Sequence, residues 1–141
     1  MIEYTAIIVA LIAVLGTVVP YLLQRNHELN LKIAEQKREA YTSFLKNFTG
    51  VSAAVMHDED ISGKDVDLNR MLARDKLVLY ASDEVIRAYD TWIRYADGEN
   101  HDYDTEGELL TLMLLAIRKD ILGETKVTVD QLSNLNSFNR G

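Results

Sequence analysis

Residues 5–23, reading TAIIVALIAVLGTVVPYLL, carry no charge. As an α-helix this run is about 28 Å long, close to the ~30 Å of bilayer hydrocarbon. A cleaved signal peptide wants a basic opening and a small-residue cleavage site. This chain opens Met1-Ile2-Glu3-Tyr4, and no A-x-A-like site precedes the polar region. A buried core helix seldom runs this far without a charge. The expectation is a transmembrane helix, with the lipid bilayer as its partner.

The flanks set an orientation. Only Glu3 precedes the run, whereas Arg25, Lys32, Lys37 and Arg38 follow it. Lys and Arg are retained on the cytoplasmic side, so the N-terminus is expected outside and the rest inside. Tyr4 and Tyr21 bracket the run where interfacial aromatics belong. Ala6, Ala10, Ala13 and Thr17, with Gly16 beside them, form a small-residue face, a candidate surface for self-association into a homo-oligomer. The same residues also suit an ordinary Ala-rich span, since no GxxxG occurs. Pro20, the only proline, removes a backbone donor and predicts a bend near the inner boundary.

The remaining length is enough for one domain with its own core. There is no cysteine, which excludes disulfides and thiolate chemistry and suits a reducing compartment. Charge is segregated: residues 25–46 are net +2 and residues 47–141 net −8. The basic collar suits anionic headgroups. The acidic remainder argues against nucleic acid as a partner.

Beyond the span the periodicity is helical. Residues 24–32 continue it as a polar stalk. Tyr41, Phe44, Leu45, Phe48, Val51 and Val55 form one apolar face. Residues 57–64, HDEDISGK, read as a loop. A second helix is expected over 65–81, with Leu68, Met71, Leu72, Val78 and Leu79 as its stripe. Ser82 reads as the N-cap of a third helix, which Gly98 ends. Residues 99–104 read as an acidic loop. Thr105 and Glu108 form a capping box before a fourth helix, apolar nearly all round, which Gly123 ends. Thr128 and Gln131 repeat the capping form and open a short fifth helix at about 129–135.

Three segments, KREAYTSFL, YASDEVIRAYDTW and LLAIRKDILGETK, resemble parts of small bacterial membrane-anchored proteins with one N-terminal span and a cytoplasmic helical domain. The resemblance implies an architecture and no chemistry. The expected fold is all-α: a transmembrane helix (1–24), a helical stalk (25–36), an antiparallel four-helix bundle with a short fifth helix (37–136) and a flexible tail (137–141).

No pattern supports catalysis, a cofactor or a metal. His27, His57 and His101 are scattered, and no HExxH or Glu-x-x-His pair occurs. Asp102, Asp104, Glu106 and Gly107 match the opening of a calcium loop, but Met113 stands where the bidentate Glu belongs. His57, Asp58, Glu59 and Asp60 read as solvated loop acids. Tyr80, Tyr89, Trp92 and Tyr95 concentrate aromatics. Either Tyr89 and Trp92 fill the core with Tyr80 and Tyr95 at its edge, or these aromatics make a partner groove or a ligand pocket, with Tyr80, Trp92 and Tyr95 as the partner surface. An exposed Trp92 would select the second. The function expected is a non-enzymatic, membrane-anchored module that holds a cytoplasmic protein partner. The alternative is an effector whose clustered spans perturb the membrane.

Overall fold

The computed structural model describes residues 2–100 and 102–135. Every regular element among them is a helix: α1 (Ile2–Met56), α2 (Lys64–Tyr80), α3 (Asp83–Ala96), α4 (Tyr103–Leu122) and α5 (Val129–Ser133). The chain divides into two units, Met1–Glu35 and Gln36–Gly141. The expected flexible tail, 137–141, lies outside the described residues.

The first unit is helix alone. Its most apolar 18-residue window has no buried share, and Ile7, Ile12, Leu15 and Leu23 are all exposed. The helix runs through Pro20. A helix so long and apolar, near the N-terminus and packed against nothing, fits a membrane span or a signal sequence, and it is not a core helix. The Thr17 hydroxyl donates to the carbonyls of Ala13 and Val14, both at 3.1 Å, so its polarity is satisfied within its own turn.

The second unit holds the core. Its part of α1 buries Tyr41 and Phe44 at the start of the expected apolar face and half-buries Leu45 and Phe48. By Val55 and Met56 the face is exposed. The helix ends in a Schellman turn: the Glu59 amide donates to the Ala54 carbonyl at 2.9 Å and the Asp58 amide to Val55. Asp58 takes the left-handed position at φ 53°, usually a glycine's.

α4 supplies the largest share of the core: Leu110, Met113, Ala116 and Ile117 are buried, with Thr111 bonded back to the Gly107 carbonyl at 2.7 Å. Leu112 and Leu122 remain exposed, so its burial is one-sided rather than all round. Val85 and Trp92 of α3 pack against this core. Ser82 caps α3, its hydroxyl accepting from the Val85 amide at 3.4 Å. Gly123, at φ 83°, closes α4, and Thr128 with Gln131 forms the capping box of α5. The start of α4 differs from expectation. Asp102, not Thr105, is the N-cap, and its carboxylate accepts from both the amide and the hydroxyl of Thr105 at 3.0 Å. An ionised acceptor at the positive end of a helix is the stronger cap, so α4 begins earlier. The Thr105 amide accordingly holds the Asp102 carboxyl below its ordinary range.

The larger correction concerns α2. Its inward residues are Ala73 and Leu77. The expected stripe, Leu68, Met71, Leu72, Val78 and Leu79, faces outward, each side chain between 48% and 73% exposed. Leu77 lies nine residues from Leu68, half a turn out of phase at about 100° per residue. The helix therefore has apolar side chains on opposite faces, and the less populated face is the one packed. Alanine at Leu77 is expected to cost about 2–5 kcal/mol, and alanine at Leu79 less than about 0.5 kcal/mol. Urea unfolding of the full-length chain in detergent, followed by the fluorescence of Trp92, checks this. Equal losses at both sites would refute the observed phase.

Candidate functional site

The second unit contains a cleft of about 540 Å³, within the range of small-molecule sites. Phe44 and Phe48 of α1, Tyr89, Trp92 and Ile93 of α3, and Tyr103 of α4 supply its apolar walls, while Arg70 of α2 and Glu106 of α4 supply its charges. The rings lock one another edge to face. Trp92 lies 5.6 Å from Phe48 at 77° and 6.4 Å from Phe44 at 89°, and Phe44 meets Tyr89 at 5.6 Å and 85°. Such pairs add about 0.5–1.5 kcal/mol each beyond the area they bury. Burial is the main cause that pushes the Tyr89 hydroxyl above its ordinary pKa. The Trp92 indole nitrogen is buried with no hydrogen-bond partner among the described residues.

Of the expected partner surface, Trp92 is 7% exposed and belongs to the core, as a filling residue rather than an outward one. Tyr80 and Tyr95 are half-buried, and the Tyr95 hydroxyl accepts from the Asp102 amide at 2.8 Å, joining the end of α3 to the cap of α4. The candidate self-association residues Ala6, Ala10, Ala13, Gly16 and Thr17 are all exposed on α1 in the first unit. His27 and His57 are exposed, and His101 lies outside the described residues. The Ser62 hydroxyl first, and then the Ser62 amide, which donates to Asp60 at 2.7 Å, hold the Asp60 carboxyl below its ordinary range. No three His, Asp or Glu side chains converge on a metal position among the described residues. A second cleft, about 560 Å³, is lined in part by Lys46 and Lys76, and Lys76 already pairs with Glu39 at 2.7 Å.

Sequence reasoning did not anticipate the polar tie beside the core. The Tyr41 hydroxyl donates to Asp120 and accepts from the Ser82 amide at 3.2 Å, and Lys37 pairs with Asp120 at 3.2 Å. One signal was available. Asp120 is an acid in the last turn of α4, where the helix dipole disfavours negative charge, so it needed a local reason. Arg70 and Glu106 of the cleft gave no comparable signal, because a helix-surface Arg and a first-turn Glu are what any helix carries.

Burial first, and then the Asp120 bond, push the Tyr41 pKa up to about 12 from 10.0. The folded chain holds this proton more tightly than the unfolded chain does. The associated stability is whole below pH 10 and is lost as pH rises towards 12, by about 2–3 kcal/mol in all. Tyr41→Phe is expected to cost about 1–2 kcal/mol at neutral pH and to flatten the decline above pH 10. Urea midpoints of both chains across that range test it, and parallel profiles would exclude the tie.

No protein-family description, no curated protein and no solved structure matches this chain.

Proposed function

We propose that the chain is a membrane-anchored, non-enzymatic interaction module. Residues 5–23 span the membrane with the N-terminus outside. The acidic helical unit, an antiparallel four-helix bundle closed by α5, works in the cytoplasm on a protein partner. The observation that carries this reading is the apolar N-terminal helix with no buried share, followed at once by Arg25, Lys32, Lys37 and Arg38. An apolar helix of this length needs lipid or a partner to cover it. The outward leucines of α2 support the recruiting role, since exposed apolar faces of this kind usually mark contact surfaces.

The effector reading, in which clustered spans perturb the membrane, draws only on the small-residue face. The Thr17 hydroxyl donates its proton within its own helix, so the small-residue face offers no free side-chain donor to bond across such a cluster. The module is therefore the better supported of the two.

Membrane topology tests the anchor. The full-length chain is expected to stay with the membrane pellet through alkaline carbonate. A fluorescent protein fused after Gly141 is expected to glow, and an alkaline phosphatase fused there to stay inactive. A shortened, soluble product with active phosphatase would identify a signal sequence instead. Cross-linking in cells tests the recruitment: a cytoplasmic protein captured by the wild-type chain is expected to be lost in the Leu72→Asp, Leu79→Asp double variant. Equal capture by both would remove α2 from the reading.

A further inference from the structure

We infer that the aromatic cleft binds an amphipathic organic monoanion, its apolar body held among Phe48, Tyr89 and Trp92 and its carboxylate at Arg70. The charge at the cleft's edge points to an anionic ligand. Arg70 is exposed at the cleft and has no carboxylate within ion-pair distance among the described residues, although the unit around it is strongly acidic. An unpaired guanidinium beside an apolar wall is the group best shaped to hold a carboxylate bidentately. Trp92, more than nine-tenths buried, forms part of the apolar wall of the same cleft, while its indole nitrogen lies out of reach of solvent. The cleft's volume of about 540 Å³ suits a body of medium chain length or a single substituted ring.

Glu106 is the other charged group of the wall, and at 9% exposed it is set inside the protein. The head of the ligand is thereby confined to the Arg70 side. An acyl chain from a fatty acid and a ring from an aromatic acid share this chemistry, and the experiment separates them. The inference is independent of the anchoring and recruiting roles proposed above, and its test reads the cleft directly.

Trp92 is the only tryptophan, so a 15N-labelled full-length chain gives one indole cross-peak. The chain is placed in nanodiscs of zwitterionic lipid and titrated with decanoate, with 4-phenylbutanoate and with decyltrimethylammonium. Saturable movement of the indole peak is expected with one or both acids. Response to decanoate alone identifies an acyl ligand, and response to phenylbutanoate alone an aromatic one. Arg70→Gln, at an exposed position that does not threaten folding, is expected to weaken binding about tenfold. Arg87→Gln, at an exposed arginine that does not line the cleft, is expected to leave the affinity within about twofold. No saturable shift with either acid, equal binding of the ammonium compound, or an unchanged affinity in Arg70→Gln would each overturn the inference.

Discussion

The hydroxyl of Tyr41 is the point on which the second unit turns. It accepts from the backbone where α2 gives way to α3 and donates to Asp120 in the last turn of α4, from a side chain only 1% exposed. A buried phenol must find partners, and a half-buried carboxylate at the negative end of a helix must be neutralised or bonded. Each group supplies what the other lacks, and Lys37, one turn earlier on α1, balances the remaining charge. Apolar burial drives the helices together without direction. This polar tie has direction, so it fixes which faces meet.

That distinction explains what could be read from residues alone. Helix ends were legible because caps are local chemistry: Ser82, Gly123 and the Thr128–Gln131 pair each act within a few residues of themselves. The α1 face from Tyr41 to Phe48 was legible because it has one apolar side. The phase of α2 was not. Five large apolar residues lie on one side and Leu77 with Ala73 on the other, and only the neighbouring helices decide which side is covered. The start of α4 was missed for a related reason. Thr105 and Asp102 both qualify as caps, and the choice rests on the relative strength of a hydroxyl and a carboxylate as acceptors.

The aromatic cluster was legible as a concentration of rings, with a groove or pocket as one of its readings, but the lining of that cleft was not legible. Spacing on α3 places Tyr89 and Trp92 together, but Phe44, Phe48, Arg70 and Glu106 arrive from three other helices. A site assembled from four separate segments leaves no motif. The tryptophan shows how mixed its roles are: its ring fills the core, while its nitrogen remains the one buried side-chain donor or acceptor among the described residues that the fold leaves unpaired.

The outward leucines of α2 have a consequence for how such a chain tolerates change. Because the core closes without them, their identity is not held in place by folding. Selection acting on that face would register contact alone, whereas selection at Leu77 or Leu110 would register stability. Sequence drift between related chains, compared at these two sets of positions, would therefore distinguish a surface kept for use from one merely left over.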